Sequence, residues 1–395
     1  MNERKKSLFL IIPFLVIIFG VSVINSFAKD KEKSESENRA LTQRPTFENI
    51  KDKTFTSLYE NYYTDQFVFR EELMKLDTKW QLITKKSTVK GLYVTDDGWI
   101  LGGVERNKKR LDDCKSDVDI IEKISNSVKK SDKKMYYVSL PQKEKTISHK
   151  YPDKYVDKNY GMENSKLFLN ALKEKGITSI DVGSYFLDKF DNDELEEFYF
   201  KTDHHWNSKG AFEAFKYIID RLNIYENLNI DLSKYNYKTS YIDEKPFIGS
   251  YNRNLNCVLD KNEKIPYVYM DRDYNNEYYE LKNGKFERVK ENYIIFDRYK
   301  EEEMTYGGAY TGNHSYYKMI NKDAVTKKKI MVIRDSYQAP LTWLLSDLFY
   351  QVEIVDPRYV EMKTDEILEK SDSDIVLLML HNGADIKSML SNMES

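Results

Sequence analysis

KIMVIRDSYQAPLTWLLSDLFYQVEIV, residues 329–355, reads as a strand, a turn, a helix and a second strand in succession. Lys329 to Ile333 is a short apolar run of the kind a buried strand needs, and Arg334-Asp335-Ser336-Tyr337 is a polar turn. A helix begins near Pro340 and carries the apolar pattern of Leu341 to Phe349, and Val352 to Val355 is the next strand. Working outward, a helical pattern at Val360 to Leu368 leads to a strand at Ile375 to Leu380. Upstream, Met135 to Leu140 is a strand, Lys166 to Lys175 a helix closed by Gly176, and Thr178 to Val182 a strand. Strands alternating with helices predict an α/β fold, a parallel sheet with helices on both faces, whose site lies at the carboxyl ends of the strands.

The segment 231–323 departs from this pattern. It is rich in Tyr, Asn, Lys and Asp, has short β-like runs at Ile265 to Met270 and Asn292 to Phe296, and reads as a β-rich insertion. Before the alternation starts, Leu58, Tyr62, Phe69, Leu73, Leu76, Trp80 and Ile83 fall mostly three or four apart, as do Leu111, Val118, Ile121, Ile124 and Val128. Both patterns predict helix, giving a helical part over 46–130. The catalytic-type domain is expected over 46–395.

The N-terminus sets the compartment. Asn2-Glu3-Arg4-Lys5-Lys6 precedes an apolar run from Leu8 to Ile24. That length suits a membrane-spanning helix, and the basic flank predicts a cytoplasmic tip with everything after Lys29 exported. Small residues at Ser26 and Ala28 leave a cleaved signal peptide open; either way the folded part lies outside. Residues 1–28 are thus tip and anchor, and 29–45, opening with the charged KDKEKSESEN, a solvated stalk. With 62 Lys+Arg against 65 Asp+Glu, no basic field exists to hold nucleic acid. Two cysteines, Cys114 and Cys257, exclude a disulfide framework and argue against a cysteine-built zinc site, leaving a single bridge between them open. The 31 Tyr and 19 Phe suit stacking on sugar rings, though Tyr also closes ordinary sheet surfaces.

Five histidines make Thr202-Asp203-His204-His205-Trp206-Asn207 conspicuous. In an extended backbone, residues i and i+2 share a side, so the Asp203 carboxylate can hold one nitrogen of His205 and leave the other as a base. Asn207-Ser208 can cap the helix that follows, whose apolar face runs from Ala211 to Leu222. Two other readings of the same letters are a polar helix cap without chemistry and a metal site; the preceding strand offers only Asp181 as a further carboxylate for the latter. The nucleophile for such a base is Ser336, displayed on a strand-to-helix turn beside helix amides that can stabilise an oxyanion; its bland reading is an N-cap serine. Gly308, Asn313, Asn382 and Trp206 are the oxyanion or substrate candidates. His314 and His381 read equally well as structural or functional, and His149 reads as a surface residue.

These residues resemble the DHHW proteins, relatives of the alginate O-acetyltransferases AlgX and AlgJ within the SGNH hydrolase superfamily. The resemblance rests on Ser36 to Leu41, Phe67 to Arg70, Gly98-Trp99, Asp203 to Trp206, Gly307 to Asn313 and Asp335-Ser336-Tyr337. It implies a circularly permuted SGNH-like sheet, with Asp and His before Ser, and a triad of Asp203, His205 and Ser336. It departs from the pattern at Arg334, where Gly is expected. The implied activity is O-acetylation of a cell-surface or secreted polysaccharide through an acetyl-serine, needing no metal or organic cofactor. An acetyl esterase with the same triad and a non-catalytic glycan-binding protein are the alternatives. A transferase outside the membrane implies a partner, a membrane-bound O-acyltransferase that delivers acetyl groups.

Overall fold

The computed structural model describes residues 3–34, 37, 39–243, 245–259, 262–273, 275–290 and 303–394. Ser36, Asn38 and the β-like run Asn292 to Phe296 lie outside the described residues. Two compact units are present: residues 1–90 with 252–259, and residues 91–251 with 260–395.

The first unit opens with α1 (Glu3–Phe27), which contains Pro13 and includes an apolar stretch, Leu8–Phe27, long enough to cross a membrane. Asp30 and Arg39, in the stretch expected to be a stalk, are stitched to α2 (Phe55–Asp65): Arg39 grips the Asp65 carboxylate at 2.6 and 3.0 Å, and the Tyr62 hydroxyl donates to Asp30 at 2.8 Å. The periodic stretch from Phe55 to Ile83 is two helices. Phe69, at φ 62°, turns the chain between α2 and α3 (Arg70–Ile83).

The second unit is built on the alternation the sequence announces. Its elements are α4 (Leu111–Lys130), β1 (Lys134–Leu140), α5 (Gly161–Glu174), β2 (Thr178–Asp181), α6 (Val182–Lys189), α7 (Ser208–Glu226), β3 (Tyr237–Ile242), β4 (Ile265–Met270), β5 (Asn276–Lys282), β6 (Lys285–Val289), β7 (Tyr316–Asn321), β8 (Thr326–Arg334), α8 (Leu341–Leu348), β9 (Phe349–Val355), α9 (Thr364–Glu369), β10 (Ile375–His381) and α10 (Ile386–Leu390). The eight-stranded sheet runs β6-β5-β7-β9-β8-β10-β1-β2. Its last five strands are mutually parallel. Much of the expected insertion belongs to this same sheet: β5, β6 and β7 extend its edge in antiparallel pairing, so the sheet is mixed, while β3 and β4 pair apart as a hairpin-like ribbon.

Strand alternation sorts the core onto two faces. Ile330, Val332, Leu377 and Met379 join one cluster with α7 and α8; Met331, Ile333, Val376 and Leu378 join the other with α4, α5, α9 and α10. All eight are at most 0% exposed, which is why this stretch reads as continuous apolar sequence. Counted from β8, the parallel strands stand in the order 2-1-3-4-5. The chain leaves β8 toward β9 on one side and returns to β10 on the other. This opens a crevice over the carboxyl end of β8, where Ser336 begins the next turn.

Candidate active site

Asp203 is 2% exposed and anchors the site. Its Oδ1 accepts the backbone N–H of His205 at 2.9 Å and faces His205 Nδ1 at 2.6 Å; its Oδ2 accepts the backbone N–H of Ser250 at 2.7 Å. Asp203 and His205 therefore meet through a tight bend in which the carboxylate bonds the backbone two residues on, not through the extended alternation expected. Burial by itself would raise the Asp203 carboxyl, but the charge and hydrogen bond of His205 outweigh it and hold the group well below the usual range. An ionised carboxylate only accepts, so Nδ1 carries a proton and Nε2 is left as the acceptor. His205 Nε2 lies 2.7 Å from Ser336 Oγ. The structure thus brings Asp203, His205 and Ser336 into one hydrogen-bonded line across 131 residues of sequence separation.

Further bonds lock the two loops together. Trp206, fully buried, donates its indole N–H to the Tyr337 carbonyl at 2.7 Å, and the Tyr337 hydroxyl donates back to the His204 carbonyl. Asn207 caps α7 through Oδ1, which accepts from Lys209 N at 2.8 Å and Gly210 N at 3.4 Å. On the serine side, Asp335 accepts from Tyr337 N at 2.9 Å and from both the backbone and Nδ1 of His381 at 2.7 Å. Burial opposes ionisation of Asp335, yet His381 keeps its pKa lowered. Asp335 thereby pins the end of β8 to the end of β10. Arg334, in the position where Gly is expected, is buried: its guanidinium donates to the Gly312 carbonyl at 3.2 Å and lies 3.9 Å from Asp356.

Four supporting residues carried no signal in the sequence. Lys143, fully buried, donates its ammonium to the carbonyls of Ile100, Lys201 and Asp203 at 2.8, 3.0 and 2.8 Å. Burial pulls its pKa down to about 8 against nearby carboxylates. Glu263 accepts the Thr202 hydroxyl at 2.6 Å and the Thr202 N–H at 3.1 Å, so it holds the approach to Asp203 from the other end. The Tyr306 ring stacks on the His205 imidazole, centroids 3.7 Å apart and planes 5° apart. Gly249 passes so close to the loop that an added Cβ would meet the Thr202 carbonyl oxygen at 2.2 Å.

The remaining candidates bond elsewhere. Gly308 donates its N–H to Thr305 Oγ1 at 3.2 Å inside a short helical turn. Asn382 Oδ1 accepts Gln142 N at 3.0 Å, and Asn313 is exposed on the loop held by Arg334. His149 pairs with Glu196 at 2.9 Å and His314 with Glu280 at 3.0 Å. Asp203, His204 and His205 stand close enough to share a cation. Their atoms are already committed: Asp203 accepts three N–H groups, His205 spans Asp203 and Ser336, and His204 Nδ1 meets Ser250 Oγ at 2.6 Å. Burial and then the neighbouring His205 push the His204 pKa down. The donor set fits a proton-transfer line better than a metal.

Residues 92–280 match the family described as SGNH hydrolase-like domain, acetyltransferase AlgX. That span contains Asp203 and His205 and ends before Ser336. PatB1 from Bacillus cereus shares the fold with a TM-score of 0.64 at 23% identity, over 75% of this chain and 98% of that one. A DHHW family protein from Eubacterium siraeum DSM 15702 shares it with a TM-score of 0.57 at 18% identity, over 78% and 97%. No curated protein matches the chain. Residues 92–280 are therefore similar to the SGNH hydrolase-like domain of the acetyltransferase AlgX, and the chain has its fold in common with PatB1 and a DHHW family protein.

Proposed function

We propose that this protein is an extracytoplasmic O-acetyltransferase that acetylates a cell-surface or secreted polysaccharide through an acetyl-Ser336 intermediate. The observation that carries the reading is the unbroken line from the Asp203 carboxylate through His205 to Ser336 Oγ, with separations of 2.6 and 2.7 Å. In the first half-reaction His205 Nε2 takes the Ser336 proton as Oγ attacks the acetyl carbonyl of the donor, and the imidazolium returns that proton to the leaving group. In the second, His205 takes a proton from a sugar hydroxyl, which attacks the acetyl-serine; collapse of the adduct restores Ser336 and yields the ester. Asp203 keeps Nδ1 protonated and stabilises the imidazolium throughout. A carboxylate fixed by three N–H bonds supplies that charge without reorganising.

The family match supports acyl transfer as the reaction class. The polysaccharide acceptor, the delivery of acetyl groups by a membrane-bound O-acyltransferase and the retention of α1 as an anchor belong to the same proposal. An anchored domain would meet such a partner at raised effective concentration. The Asp-His-before-Ser order is read here as the permuted form of the SGNH sheet. Bacillus cereus PatB1 has been solved with a sulfonyl adduct, which suggests a sulfonyl fluoride as a probe of Ser336. The test is acetyl transfer from an activated acetyl ester to a panel of surface glycans, comparing the chain with Ser336→Ala. A glycan that gains acetyl groups only with the intact serine supports the proposal. Release to water alone, whatever glycan is offered, would make the protein an esterase.

A further inference from the structure

Helix α3 turns an apolar stripe outward. Phe69, Leu73, Leu76, Trp80 and Ile83 are 52–74% exposed, and at 100° per residue they fall within about 80° of arc. The opposite face is mixed: Met74 and Leu82 are half-buried on either side of Thr78, which is fully buried and whose Oγ1 accepts from Asn256 Nδ2 at 2.9 Å, while the Met74 carbonyl accepts from the same amide at 3.0 Å. An apolar stripe turned outward over four helical turns is a surface awaiting an apolar phase. Phe69 heads the stripe at φ 62°, a conformation that non-glycine residues avoid.

Three observations identify that phase as the membrane surface. The backbone N–H of Val68 donates to Asn25 Oδ1 at 2.8 Å, so the start of α3 is tied within three residues of the end of the apolar span. Gln66 makes a second tie, accepting from Lys31 N at 2.8 Å and donating to the Lys31 carbonyl at 2.9 Å. Within α3 three Lys/Arg balance three Asp/Glu, and residues 84–90 just after it add Lys85, Lys86 and Lys90 with no carboxylate, a local positive excess suited to anionic headgroups. Trp80 in the stripe is the residue type that settles at a bilayer interface. The 4-3-4-3 spacing would also suit a two-helix seam, but parallel pairing of two anchored copies sets Glu72 against Asp77.

We infer that α3 lies in the membrane interface, its stripe from Phe69 to Ile83 seated among the lipid headgroups beside the exit of α1. This rests on the reading of α1 as a retained anchor. Such a contact gives the protein a second attachment and fixes the first unit flat against the bilayer, where a single span would leave it free to swing.

The test uses the full chain in phosphatidylcholine–phosphatidylglycerol vesicles. Trp99, Trp206 and Trp343 are 2% exposed or less, so the difference between the chain and Trp80→Phe isolates Trp80 emission. Lipids brominated near the headgroup end of the acyl chain should quench that emission about twofold, with lipids brominated at the chain terminus quenching less. Leu76→Glu should abolish the quenching while leaving the far-ultraviolet circular dichroism unchanged. Phe14→Trp, in the Trp80→Phe background, reports α1 separately through the deep quencher. Quenching at position 14 with none at Trp80 would overturn the inference and leave the anchor standing. Trp80 shielded from both lipid and aqueous quenchers would overturn it in favour of a protein partner. Loss of both signals would remove the anchor, and the inference with it.

Discussion

Replacing Lys143 with methionine tests whether the loop carrying Asp203 and His205 is held by a buried charge. The ammonium makes three bonds to backbone carbonyls, one of them on Asp203 itself. Hydrogen bonds to a charged group are worth about 1.5–3 kcal/mol each, so the gross contribution is about 5–9 kcal/mol. Against this stands the cost of burying the charge. A pKa lowered from 10.5 to about 8 corresponds to about 3 kcal/mol. The expected net loss for Lys143→Met is therefore about 2–6 kcal/mol, read as a lower urea midpoint at unchanged slope. Proton linkage makes this stability depend on pH. Between about pH 8 and 10.5 the unfolded chain keeps a proton that the folded chain has released, so the wild type gains stability relative to Lys143→Met as pH rises through that window, by up to about 3 kcal/mol. Turnover should fall more than substrate affinity, because the displaced groups are Asp203 and His205. A variant within about 0.5 kcal/mol of wild type, or a stability gap that narrows with rising pH, would refute the clamp.

Four other perturbations have definite expectations. Tyr306→Leu removes the ring stacked on His205 and should lower kcat roughly 5- to 30-fold, on a stacking contribution of about 1–2 kcal/mol, whereas Tyr306→Phe should retain activity; equal loss in both would place the effect in the hydroxyl. Gly249→Ala drives a methyl into the Thr202 carbonyl and should cost at least about 2 kcal/mol by thermal unfolding together with most of the acyl transfer; a silent substitution would mean the loop moves freely. Asp203→Asn should narrow its stability deficit only as pH falls beneath the ordinary carboxyl value of 3.8, because the folded Asp203 stays ionised far below it; a deficit that varies between pH 5 and 7 would contradict that ionisation. Asp335→Asn leaves a buried amide facing the N–H groups of His381 and should destabilise by about 1–3 kcal/mol, with calorimetry as the check.

The parallel strands were legible because burial on both faces leaves apolar runs such as IMVI and IVLLML that little else produces. The chemical residues were legible by type and chain order. Their supports were not, since Lys143, Ser250 and Tyr306, each opening a short helix, and Glu263 reach the segment from Thr202 to His205 out of stretches whose composition is ordinary and through contacts long in sequence. The antiparallel edge was hidden for a different reason. In β5 the inward positions are Tyr278 and Glu280, and a buried carboxylate beside His314 breaks the apolar alternation that announces a strand. The break between α2 and α3 has no glycine or proline to mark it, because Phe69 itself adopts the left-handed turn.

The most direct measurement of the central claim is the site of acetylation on the enzyme itself. The chain would be mixed with an activated acetyl ester, quenched in acid within a turnover and digested, and the acetylated peptide sequenced by mass spectrometry. The account predicts one acetyl group on Ser336, absent from Ser336→Ala and strongly reduced in His205→Ala and Asp203→Asn. Undiminished turnover in Ser336→Ala, with the acetyl group found on another residue or on none, would contradict it.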